Sequence, residues 1–397
     1  MARPKLKLKL KLKLKLKLKL KLKLKLERTG ADWSGAIFAD NFGHTMSDQI
    51  GLFGADDDAP EAAPTKGLRD GLRDIGPAAH DDGTRVLAAQ LAIAPALIHL
   101  GTSSWSFPGW AGIVYDKPAG ESALSKKGLT AYSAHPLLRT VSIDRSFYSP
   151  LARAEYEHYA AQVPPHFRFM VKAPSFITDE LRRDEGGRGV EMNPRFLDVQ
   201  SAFDEFVKPA SAGLGINAGP LVFQFSPLSR RTLGDVPAFA ARLHAFFRAL
   251  RQLCAGFSHA PLFVVEVRNG ELLTRAFADA LKEAGARYCV GVHARMPSPE
   301  EQLPLLRALW PGPLVVRWNL HAGFRYDEAK AQYAPFNRLV DEDLASRATL
   351  AKVAAATALA GQPVYISANN KAEGSAPLTI YKLAQAIAEI LLNKTTA

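Results

Sequence analysis

LIHLGTSSWSFPGW, residues 97–110, starts as an apolar run and ends in a loop crowded with aromatic rings. An open, doubly wound sheet that binds a dinucleotide places a glycine-rich phosphate turn after its first strand, and GTSSWSFPGW is not such a turn. With that topology disfavoured, the number of similar runs further along the chain decides the fold. There are seven: LRTVSID (138–144), FRFMVKA (167–173), PLVFQFS (220–226), LFVVEVR (262–268), RYCVGVH (287–293), PLVVRWN (313–319) and PVYISANN (363–370). Between them lie helical patterns, with Phe196, Phe203 and Phe206, then Leu243, Phe246, Phe247 and Leu250, then Leu273, Phe277 and Leu281, then Leu383, Ile387, Ile390 and Leu391 mostly at three- and four-residue spacing. Gly285 and Gly361 sit where such helices should stop, each before the next run. Continuous apolar strands alternating with helices predict a parallel sheet covered by helices, and eight units in about 300 residues are the number and length of a (β/α)8 TIM barrel.

Working toward the N-terminus, the character of the chain changes before Leu97. Residues 27–96 read as a mostly disordered linker: DDDAPEAAPT (56–65) and GPAAHDDGT (76–84) offer few large apolar side chains against their ordering entropy. Two short helical pieces are expected within it, around 47–53 and 85–91. Residues 1–26 hold Lys-Leu repeated eleven times, a low-complexity tract in which a charge at every second position excludes a membrane span or a secretory signal. The chain carries 50 Lys and Arg against 39 Asp and Glu; without the eleven repeat lysines, 39 bases face 39 acids. A cationic field over the whole protein, of the kind that draws proteins to nucleic acid, is therefore not expected, and nucleic-acid processing stands as the second reading. The repeat itself reads as an appended tract, with adhesion to an anionic bilayer or to its own copies as the functional alternative. Cys254 and Cys289, the only cysteines, fit buried thiols of a reducing compartment and thus a cytoplasmic protein.

The order of motifs resembles the YecE-like family, the domain of unknown function 72. GTSSWSFPGW (101–110) is similar to its opening strand and loop, SIDRSFY (142–148) to its second strand and FRFMVK (167–172) to its third. LVFQFSP, VEVR (265–268), VVRW (315–318) and ANNKAEGSA (368–376) continue in the same order. The resemblance implies a TIM barrel and names no reaction. Three residues depart from the commoner family pattern: Ser142 stands where Glu is usual, Asp144 where Asn is usual and Asn319 where His is usual.

TIM-barrel active sites form at the C-terminal ends of the strands, and charges in apolar strands are costly unless they pair or serve a ligand. The strand ends supply Arg317, Arg268, Asn369 and Asn370 as expected anion binders, with Lys172 and Glu266 as expected catalytic groups. An excess of cations over carboxylates there suits a small anionic, phosphorylated ligand and a hydrolase or lyase reaction. The competing reading is an internal salt-bridge network closing the barrel mouth. Trp105 and Trp110 are expected to stack a flat ring above the site, against the alternative of plain loop packing. Lys172 also suits Schiff-base chemistry. Glu266, Asp144 and His293 are the only plausible metal ligands, too few to make a metal the expectation, and no motif designates a cofactor.

Overall fold

The run 97–110 contains β1 (Ile98–Thr102), and each of the seven later runs also holds a strand. In a computed structural model, which describes residues 75–94, 97–184, 189–321, 324 and 326–395, these are β2 (Leu138–Ile143), β3 (Arg168–Lys172), β6 (Ala218–Gln224), β7 (Leu262–Glu266), β8 (Arg287–Val292), β9 (Leu314–Trp318) and β10 (Val364–Ala368). They close in the order β1-β2-β3-β6-β7-β8-β9-β10 and back to β1, every pair parallel. A parallel sheet needs a crossover between neighbouring strands, and helices supply most of them: α2 (Glu121–Ser133), α3 (Arg153–Ala160), α4 (Lys208–Leu214), α5 (Val236–Leu253), α6 (Arg275–Glu283), α7 (Pro299–Ala308), α8 (Leu344–Leu359) and the closing α9 (Ala376–Thr395). The fold is a TIM barrel. Between β3 and β6 the chain adds β4 (Leu181–Arg183) and β5 (Gly189–Met192), a separate two-stranded sheet absent from the sequence expectation.

Side chains alternate across a strand, which splits the buried apolar residues in two. One set faces the helices and includes Leu100, Val141, Phe169, Phe223, Phe263, Val290, Val316 and Ile366. The other, Met170, Val222, Val264, Cys289, Val315 and Tyr365, fills the barrel interior. Continuous apolar runs are the consequence of burial on both faces. None of the described helices is long and apolar enough to cross a membrane.

The linker expected over 27–96 is corrected at its C-terminal end. Residues 75–94 are packed: Ala78 N–H donates to Val114 O at 2.9 Å, Asp116 N–H donates to Gly76 O at 3.0 Å, and α1 (Asp82–Leu91) buries Leu87 and Leu91. Asp81 caps α1, its carboxylate accepting from the Thr84 N–H at 2.8 Å and the Thr84 hydroxyl at 2.7 Å. The helical piece expected around 85–91 is thus present as α1, and Leu87 and Leu91, four apart, dock it. The helix expected around 47–53 and the Lys-Leu tract lie outside the described residues.

Candidate functional site at the C-terminal mouth

A step of two residues along each interior strand position moves one layer toward the C-terminal mouth. From the apolar layer of Met170, Val222, Val264, Cys289, Val315 and Tyr365 that step reaches Lys172, Gln224, Glu266, Gly291, Arg317 and Ser367. The register agrees, pairing Gln224 with Glu266, and Arg317 with both Gly291 and Ser367. One more step gives Arg268, His293, Asn319 and Asn369, and on β2 Ser142 leads to Asp144. The transition from apolar floor to charged mouth therefore takes two residues.

Arg317 is the hub. Its Nη1 donates to Glu266 Oε2 at 2.7 Å and to Gln224 Oε1 at 3.0 Å, while Nη2 donates to Asp144 Oδ2 at 2.6 Å. Arg268 bonds the other oxygen of Glu266 and reaches Gln224 Oε1 at 3.2 Å. Asn319 Nδ2 donates to Glu266 Oε1 at 3.1 Å, and Ser142 Oγ donates to Asp144 Oδ1 at 2.8 Å. All three residues that depart from the commoner family pattern are thus built into this one network. Gly291 borders the network: a Cβ there would stand in ordinary contact, 3.4 Å from Arg268 Nη1.

The Glu266 side chain is fully buried, which alone would raise its pKa, but the adjacent Arg268 and Arg317 overcome that and hold it down to about 2. Burial likewise opposes the charge on Arg317, and Asp144 and Glu266 reverse it, raising its pKa above the ordinary arginine value. Glu266 is therefore ionised and saturated with donors. Lys172 differs: burial lowers its pKa to about 7, with Asp144 pulling up and Arg317 pushing down. Its ammonium lies 3.5 Å from the centre of the Phe147 ring, a cation–π contact that favours the charged form.

The expected anion binders just after β10 form a second group. Asn369 Nδ2 donates to Ser103 Oγ at 2.8 Å, and Asn369 Oδ1 accepts from Lys371 Nζ at 3.3 Å. Asn370 Oδ1 accepts from the Trp110 indole at 3.2 Å and from the Ala376 N–H at 2.8 Å, which pins the start of α9. Asn370 Nδ2 is buried without a partner among the described residues. Lys371, not singled out by the sequence, is buried and its pKa is lowered to about 7 by that burial and by Lys330. A lysine in the turn that follows β10, directly after Asn369 and Asn370, was the available signal.

The two tryptophans are not presented to a ligand. Trp110 is 0% exposed and packs on Phe107, and Trp105, 7% exposed, meets Tyr159 edge-on. The ring-stacking expectation gives way to loop packing, because Trp110 closes the short helical turn Pro108–Trp110 as a buried residue whose indole is tied to Asn370. Burial keeps His293 neutral, lowering its pKa to about 3 with Arg268 adding to the effect. No group of three or more His, Cys, Asp or Glu among the described residues could hold a metal ion.

A family model described as "Protein of unknown function DUF72" matches residues 99–396. The chain belongs to the DUF72 family. Among solved structures it is similar to a DUF72 family protein from Enterococcus faecalis V583, at 15% identity and a TM-score of 0.50 over 73% of this chain and 95% of that one. It is also similar to a DUF72 family protein from Thermotoga maritima MSB8, at 18% identity and a TM-score of 0.47 over 75% and 99%. At such identities the DUF72 likeness concerns the fold. A search of curated proteins finds no match.

Proposed function

We propose that the C-terminal mouth of this DUF72 barrel binds a small anionic ligand, a phosphorylated metabolite by preference, with Lys172 as its titrating group. The observation that carries this reading is the charge balance of one cluster: Arg268, Arg317 and Lys172 against Glu266 and Asp144, with the third cation poised near neutrality. An arriving anion would stabilise the ammonium and draw a proton onto Lys172. Glu266, satisfied by two guanidiniums and an amide, serves in this reading as the anchor that aims Arg268 and Arg317, not as the general base. Proton transfer in a hydrolase or lyase reaction then falls to Lys172, whose pKa matches neutral pH. The nucleic-acid reading loses its stacking platform with the burial of Trp105 and Trp110.

The test is a thermal-shift screen of phosphorylated metabolites, followed by calorimetry of the best compound on the native chain and on Lys172→Met. A ligand present at 100 times its Kd raises stability by about 2.7 kcal/mol. The expected affinity falls as pH rises above 7, and proton uptake accompanies binding in the native chain only. Tight binding that is indifferent to pH and to Lys172→Met would refute the assignment.

A further inference from the structure

The opposite end of the barrel has a charge pattern of its own. The turns that lead into the eight strands, 97–99, 136–140, 164–168, 215–218, 258–262, 284–287, 311–314 and 361–364, contain three arginines, three histidines and not one Asp or Glu. Part of this has an ordinary cause. Crossover helices end at this face, so unsatisfied carbonyls gather there and favour cations. Arg287 Nη1 donates to Leu309 O at 2.7 Å, Lys282 Nζ to Ala308 O at 3.1 Å, and Arg251 Nη2 to Gly285 O at 2.7 Å.

That cause does not account for the floor beneath β1, β3 and β10. His99 lies in the barrel interior, 2% exposed, its ring stacked on Tyr365 with centroids 4.9 Å apart and planes 6° from parallel. Its Nδ1 is buried and has no hydrogen-bond partner among the described residues. Arg168 uses Nη1 for two carbonyls of its own turn, Pro165 O at 2.7 Å and Phe167 O at 2.9 Å, and between those two residues His166 is exposed. The side-chain charges that bear on His99 are those of Arg168, Arg139 and His166, all of one sign. Arg168 is also the charge that bears on Tyr365. A buried nitrogen left unsatisfied beside uncompensated cations is costly, and an oxyanion would answer both deficits at once.

We propose that the N-terminal opening of the barrel is a second ligand site, which takes a small oxyanion, a phosphate or a carboxylate, against Arg168, His166 and His99. Arg168 supplies the charge-assisted donor, His166 the outer rim and His99 the inner donor once it carries a proton on Nδ1. The site is independent of the C-terminal mouth, since no residue is shared and the apolar interior layer separates them.

The experiment is histidine NMR on the native chain, with the His99 signal assigned through His99→Gln. Empty, the ring is held neutral by burial and by Arg168, with a pKa of about 4. Titrations are run with inorganic phosphate, with acetate, and with chloride at equal ionic strength. An occupied site raises the His99 midpoint by more than ~0.5 unit over chloride, since an adjacent anion favours the imidazolium. The anion that does so identifies the chemistry. Arg168→Gln abolishes the displacement and His166→Gln weakens it; the latter residue is exposed, so its variant remains informative if Arg168→Gln fails to fold. Lys172→Met leaves the displacement intact. If neither phosphate nor acetate moves His99 beyond chloride, or if the movement survives either substitution undiminished, the site does not exist.

Discussion

At the scale of single residues, the mouth balances two opposite treatments of a buried charge. Glu266 keeps its charge because Arg268 and Arg317 each contribute a bond and a field; Lys172, two strands away across β6, has its charge weakened by desolvation. Removing Arg317 would strand Glu266 and Asp144 together, so its loss reports on stability as well as on any ligand. Lys172 offers a cleaner probe, because its titration has a definite sign. Its folded pKa of about 7 is below the ordinary 10.5, so between those values the unfolded chain binds more protons and stability rises with pH. Below pH 7 both states are protonated and the full cost of burying the ammonium is present. Lys172→Met, which removes the titration and keeps the stem, should therefore gain most in acid to neutral solution. The advantage of the variant over the native chain is expected to shrink by about 2–3 kcal/mol between pH 7 and pH 9. Denaturant midpoints at the two pH values measure it; a constant difference would mean that Lys172 titrates normally and is not desolvated.

At the scale of elements, all eight barrel strands were legible because each is an apolar run bounded by turn residues, and burial on both faces erases the period-two ambiguity that troubles exposed strands. The mouth positions were legible from the same runs: Glu266, Lys172 and Arg317 are charges near the C-terminal ends of mostly apolar strands. What the one-dimensional pattern could not carry is who pairs with whom. Arg317 and Asp144 are 173 positions apart, and only barrel closure puts them 2.6 Å from one another. The pair β4 and β5 escaped because every residue of β5 is exposed, Val190 and Met192 included, so burial imposes no pattern on it. Within 75–94 the helix expected around 85–91 is present as α1, and what escaped is the docking of the segment on 114–116, which uses backbone groups to which composition is blind. That segment now limits where the barrel can be trimmed. A chain beginning at Thr84 lacks the Asp81 cap and the bridge from Pro77 to Tyr115, whereas a chain beginning at Ile75 keeps both. The longer version should melt with the full chain and the shorter one below it, and Leu87→Ala in the full chain should cost about 2–5 kcal/mol. Equal melting temperatures for the two truncations, with an innocuous Leu87→Ala, would show that α1 is not part of the folded unit.

At the scale of the whole molecule, charge is arranged in blocks that oppose one another along the chain. Residues 1–26 carry twelve bases and no acid, residues 27–74 carry four bases and ten acids, and residues 75–397 hold the remaining 34 bases and 29 acids. The acidic block thus stands between the Lys-Leu tract and the barrel and nearly cancels the mild positive charge of the barrel. Nonspecific adhesion to anionic surfaces tracks net charge and is screened by salt, with each neutralised DNA phosphate adding about 0.9 to the salt slope. Trimming from the N-terminus should then change adhesion in a sequence that is not monotonic in length. The full chain should bind duplex DNA or anionic vesicles most strongly at low salt, and the chain starting at residue 27, close to neutral overall, least. The chain starting at Ile75 should recover some adhesion, because it sheds more acids than bases. A binding series at rising salt on the three lengths distinguishes this from a tract that acts by shape, by its alternating leucine face or through the barrel mouth. If the chain starting at residue 27 binds as well as the full chain, the Lys-Leu tract is not the source of the adhesion. If instead removal of residues 1–26 abolishes ligand binding at the mouth while the melting temperature holds, the tract belongs to the site and not merely to the surface charge.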